Sequence, residues 1–153
     1  MRKTWVVAAG LMVLGGLTVV SAHMKTDELP AGPIRDRHEL MEGIGKNAKI
    51  IGDALKAGNA APVAGAAEKI AADAPKIAAL FPPGSTNPKS RAKPEIWQSW
   101  PKFEEGAKQL QAKATAVAAA AKDGGDVGAA AKTLFGACKS CHDQFRVPEK
   151  KKA

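Results

Sequence analysis

Four stretches of this sequence carry apolar residues that alternate three and four positions apart, and that spacing leaves few folds open. The first stretch holds Met41, Ile44, Ala48, Ile51 and Leu55, and the second Val63, Ala67, Ile70, Ala74, Ile77 and Phe81. The third runs through Ile96, Trp100, Phe103, Ala107, Leu110, Ala114, Val117 and Ala121. The fourth contains Val127, Ala131, Leu134, Cys138, Cys141 and Phe145. A repeat averaging about 3.5 residues lines one face of a helix and forms the seam of helices packed nearly parallel or antiparallel. The region is rich in alanine, lysine and glutamate and poor in β-branched and aromatic residues, which favours helix throughout. Four such helices joined mostly by short links predict an all-α, antiparallel up-and-down four-helix bundle.

Boundary residues agree with this reading. Pro33, Pro62 and Pro94 fall where first helical turns begin, the position that tolerates a missing N–H. Gly58 stops the first helix and Asp126 is placed to cap the start of the fourth. Pro75 and Pro101 lie inside the second and third stripes, where a kink or a restarted helix is expected. The stretch from Pro82 to Lys93, rich in proline, serine and glycine, is the one long loop.

Arg2 and Lys3 precede an apolar run, Trp5 to Val20, that ends in Val20-Ser21-Ala22. A basic start, an apolar stretch and small residues before a break form an export signal, so residues 1–22 read as a signal peptide and 23–153 as a single domain. The competing reading is a retained anchor, since Trp5 to Ala22 nearly spans a bilayer. Removing residues 1–22 leaves 21 basic against 15 acidic residues, so the formal charge falls from +8 to +6. Apart from the tail Lys150-Lys151-Lys152 the lysines are scattered, which argues against nucleic-acid binding and for a solvated surface. Export places the protein in the periplasm, with no membrane contact unless the N-terminal segment stays uncleaved.

The chain's only two cysteines, Cys138 and Cys141, stand with His142 in one Cys-Lys-Ser-Cys-His motif. On a helix all three side chains project from roughly one face. Thioether bonds to the vinyl groups would hold one covalent haem c against the helix, with His142 as the proximal iron ligand. A thioredoxin-type dithiol would instead want its cysteines at a helix N-terminus after a strand. A plain disulfide would not need the adjacent histidine. Haem attachment is the reading that uses all three residues.

The motif closes the last helix instead of opening the chain, and at this point the sequence resembles the class II c-type cytochromes, the cytochrome c-prime group. The resemblance rests on Arg37-x-x-Leu40-Met41, on Lys93-Pro94-Glu95-Ile96-Trp97, and on Ala137-Cys138-Lys139-Ser140-Cys141-His142-Asp143 with Phe145-Arg146. It covers nearly all of the chain after residue 22 and implies a four-helix bundle with covalent haem on the C-terminal helix. It places Met41 at the distal haem face and matches Arg37 to an arginine near a haem propionate; a solvated arginine is the alternative.

What faces His142 across the iron separates the possible functions. A Met41 thioether would give a six-coordinate, low-spin iron suited to electron transfer. If Met41 is only a flexible core residue, the iron is five-coordinate, as in the high-spin cytochromes c-prime, and its open face binds gases such as NO or CO. The stretch Leu40 to Asn47 resembles the low-spin, methionine-ligated branch, and Gly43, Gly45 and Gly52 would let this helix approach the ring. The expectation is therefore a periplasmic one-electron carrier with His142 and Met41 as axial ligands, serving redox partner proteins. Many relatives are dimers through their first two helices, so a homodimer is open. Trp97 and Trp100 read as core and pocket packing, His38 as an exposed helix residue. Glu95, Glu104 and Glu105 show no spacing for acid–base catalysis, and the protein is not expected to be an enzyme. N-terminal sequencing of the exported protein should begin at His23; a start at Met1 would indicate a retained anchor.

Overall fold

The computed structural model describes residues 29–148. The expected signal peptide and the lysine tail at 150–152 lie outside the described residues. Five α-helices are present among them: α1 (Pro33–Lys56), α2 (Val63–Asp73), α3 (Glu95–Gln98), α4 (Trp100–Asp123) and α5 (Val127–Phe145). Four are the expected bundle helices; α3 is a single turn leading into α4. None of the helices is long and apolar enough to cross a membrane among the described residues.

The prolines act where their chemistry requires. Pro33 occupies the first turn of α1, and Pro101 that of α4, where its missing N–H costs nothing. The third stripe is consequently broken at Ser99 (φ −124°, ψ 42°), and the helix restarts at Trp100. At Pro75 the second stripe tightens from α-helix into two 3₁₀ turns, Ala74–Lys76 and Ala78–Leu80. The stripe itself continues through the break, because Ala74, Ile77 and Phe81 are all buried. α4 ends at Gly124 in the left-handed region (φ 72°), and the Gly125 N–H returns to the Ala120 carbonyl at 2.8 Å. Asp126 then caps α5 by accepting from the Ala129 N–H at 2.8 Å.

α1 packs on α2, α2 on α4, and α4 on α5, whereas α1 and α5, which complete the ring, scarcely touch. Small residues let the middle pair approach closely: Ala67 of α2 and Ala114 of α4 are fully buried. Around them lie Ile51, Val63, Ile70, Val117 and Leu134, also fully buried. Phe103 of α4 gathers the aromatic end of the core, with Phe81 at 4.8 Å and Phe145 at 5.3 Å between ring centroids, both edge-to-face. On α1 the observed buried set is Arg37, Ile44, Ile51 and Ala54. Met41, Ala48 and Leu55 are only half-buried against the core, toward the side where α5 stands off.

Truncation Leu134→Ala should cost about 2–5 kcal/mol by leaving a hole at the α4–α5 seam. Loss of the cap in Asp126→Ala should cost about 1 kcal/mol. Both are read from urea unfolding of the holoprotein.

Candidate haem site

Cys138, Cys141 and His142 project from the last turns of α5 into a cleft between α1, α4 and α5. Met41 and Ile44 of α1 form one wall, and Phe103, Gly106, Ala107 and Leu110 of α4 another, with Ile77 between them. Outside the motif the lining is apolar throughout. α4 comes nearest to the motif where it has no side chain, since a Cβ on Gly106 would lie 3.5 Å from the Cys141 sulfur. The sequence pattern gives Gly106 no prominence; its only signal is a gap of one residue ahead of Ala107 in the third stripe.

Burial sets the protonation of the motif. It pushes both cysteine thiols above their ordinary value, reinforced at Cys141 by the neighbouring Cys138. It pushes His142 below its ordinary value, helped by the positive charges of Arg146 and Arg91 and opposed by Asp143. At neutral pH the imidazole is therefore neutral, with a lone pair free for a metal. Two sulfurs and a neutral imidazole on one helical face, bordered by apolar walls, fit a covalently attached haem.

The end of α5 is held by the loop that precedes α3. Ala92 and Arg146 form an isolated antiparallel bridge, with Lys93 N–H donating to Phe145 O at 2.9 Å and Val147 N–H to Arg91 O at 2.8 Å. Lys93 Nζ donates to Asp143 O at 3.0 Å and Gln144 O at 3.2 Å, and Arg146 N–H to His142 O at 3.0 Å. Every one of the last four carbonyls of α5 thus has a donor, three of them from Lys93.

Arg37 is not brought into the cleft. It is buried, and its guanidinium donates to Ser85 Oγ and Ser85 O, both at 2.9 Å, and to Ser90 Oγ at 3.1 Å. It also stacks 4.5 Å over the Phe81 ring. The expectation of a solvated arginine is thereby excluded. A charged residue on an apolar stripe reads as surface by type, but its spacing of four from Met41 and seven from Ile44 puts it on the buried face. His38 is half-buried, with Nε2 3.6 Å from Glu42 Oε1. Gly43 and Gly45 have no protein atom near an added Cβ, and Gly52 meets only Phe135, at 4.0 Å. Trp97 donates to the Phe81 and Pro82 carbonyls at 3.0 and 3.2 Å, and Trp100 lies 5.6 Å from the Phe103 ring, so both pack as expected.

The family model described as Cytochrome C' matches residues 32–146 of the chain. The cytochrome c' of Rhodospirillum rubrum is 32% identical over 151 residues, covering 95% of this chain and 99% of that protein. That of Rhodopseudomonas palustris is 36% identical over 142 residues, covering 90% and 92%. Among solved structures, cytochrome c' from Thermochromatium tepidum superposes with a TM-score of 0.71 at 32% identity, covering 83% of this chain and all of the other.

These matches overturn the expectation of a low-spin electron carrier with His142 and Met41 as axial ligands. The relatives carry the name of the group whose iron is five-coordinate and high-spin, the alternative set out from the sequence. The residues that suggested methionine ligation have plainer roles in the fold. Met41 packs against the buried core as an apolar wall residue. Gly45 is exposed, so it does not bring α1 toward the cleft. The chain belongs to the cytochrome c' family, whose covalent c-type haem its two cysteines, Cys138 and Cys141, fit.

Proposed function

We propose that this protein is a periplasmic cytochrome c' that binds a small neutral gas, NO or CO, at a five-coordinate haem iron, and that it is a binding protein and not an enzyme. The observation that carries this reading is the cleft wall across from His142. Met41, Ile44, Ile77, Phe103 and Leu110 offer an entering ligand no charge and no strong hydrogen bond. Such a wall disfavours water and anions, which lose hydration there without replacement, and admits an uncharged diatomic molecule. The haem, when bound, supplies the iron coordination position that the gas takes.

The residues divide the work. Cys138 and Cys141 anchor the ring through two thioethers, and His142, neutral by burial and by Arg146 and Arg91, holds the iron from one side. Met41 fills space on the other side and governs how closely a ligand approaches. Export by the N-terminal signal would deliver the chain to the compartment where thioether attachment is completed. A binding role is further supported by the placement of Arg37 and His38. The first is engaged with Ser85 and Ser90 and the second lies beside Glu42, so neither serves as a distal acid–base group.

Replacing both Cys138 and Cys141 by alanine should leave haem extractable by acid acetone, while either single change retains one covalent bond. The native ferric protein should be high-spin, and the ferrous protein should bind CO without displacing a protein ligand. Met41→Ala should leave the ferric spin state unchanged and shift CO affinity by less than about tenfold, as expected for altered packing. A native low-spin ferric spectrum that Met41→Ala abolishes would sink the reading.

A further inference from the structure

Arg37 is the only charged side chain among the described residues that is fully buried, with 4% of its surface exposed. The gas-binding reading gives it no role. Its three hydrogen-bond acceptors are all neutral oxygens, and all belong to the loop from Pro82 to Lys93. Taking a guanidinium out of water is costly, and the protein meets that cost with three bonds to one loop. Burial accordingly lowers its affinity for its proton, although a guanidinium keeps its charge at any ordinary pH.

The loop carries the contact further. Ser90 Oγ, held by Arg37, also accepts from Ala92 N–H at 3.2 Å. Ala92 is the residue bridged to Arg146, and Lys93 next to it closes the last carbonyls of α5. Arg146 in turn bonds the carbonyl of His142. The other end of the loop is fixed as well, by Trp97 on Phe81 O and Pro82 O. An unbroken series of bonds therefore runs from the second turn of α1 to the backbone of the motif histidine.

We propose that Arg37 is a positioning residue for His142: by clamping Ser85 and Ser90 it turns residues 82–93 into a strap, and the strap fixes the last turn of α5 and the imidazole it carries. Arg37 acts through these residues. A supporting shell of this kind sets how tightly a first ligand is oriented. The proposal rests on the haem motif and is independent of whether the iron binds a gas.

The test uses the holoprotein with Arg37→Ala, Arg37→Lys and Ser90→Ala, and two readouts. Amide hydrogen exchange at Lys93 and Val147 reports the strap, and the iron–histidine stretching band of the ferrous protein reports His142. Arg37→Ala should speed exchange at both amides by about tenfold or more and shift or broaden the band. Arg37→Lys, which keeps the charge but lacks a fork to span both serines, should follow it, and Ser90→Ala should do so to a smaller degree. Exchange that quickens only within residues 85–90, with an unchanged band, would reduce Arg37 to a local packing role and overturn the proposal. So would no change in either readout. If Arg37→Ala does not fold, Ser90→Ala decides between the same two outcomes.

Discussion

A helix that ends inside a binding site must satisfy its last carbonyls without borrowing the groups that do the binding. α5 meets that constraint from outside itself. Lys93, 50 residues earlier than Asp143, places its ammonium on two terminal carbonyls and its backbone N–H on a third. The two ammonium contacts are exposed, so each contributes only about 0.5–1.5 kcal/mol, and together with the backbone bond they hold the turn that carries His142. The bridge between Ala92 and Arg146 gives the same contact a fixed register. Burial keeps the imidazole unprotonated, and Arg146 and Arg91, on the two sides of that bridge, reinforce it.

The bundle was legible because burial and helix period act on every residue of a stripe at once. All six residues of the second stripe are buried, even where Pro75 breaks the α-helix that carries them. The attachment motif was legible for a different reason: its geometry is local, three side chains within five residues of one helix. Arg37 was harder, since residue type argued for the surface and only its spacing argued for the interior. The strap was not legible at all. It pairs positions some 50 residues apart, and its acceptors at the end of α5 are backbone carbonyls, which carry no side-chain signature.

Met41 marks a third kind of limit. It lines the cleft together with Ile44 and with Cys138 and Cys141 of the motif. A methionine that packs and a methionine that ligates differ by small displacements of a helix, and no pattern of residue types encodes those. Gly43 and Gly45 invited the closer approach, yet an added Cβ at either would have no protein atom within 4 Å. The full-length relationship to cytochromes c' carries more weight than an eight-residue likeness, because it samples the whole packing that sets where α1 lies.

The two sides of the site are thus built on opposite principles. Around His142 the chain uses polar groups freely, pairing carbonyls and surrounding the ring with cationic side chains. Across from it only apolar side chains line the cleft, and under the proposed function a ligand there is selected by size and by its readiness to leave water. Polar order on one side holds the turn that carries the imidazole, which burial keeps neutral, while under the proposed function apolar packing on the other leaves coordination as the main attraction for an incoming molecule. Because Arg37 on α1 clamps the strap, the helix that supplies the apolar wall is also tied to the opposite side. Under the proposed clamp, a change at the start of α1 acts on the histidine before it acts on a bound gas.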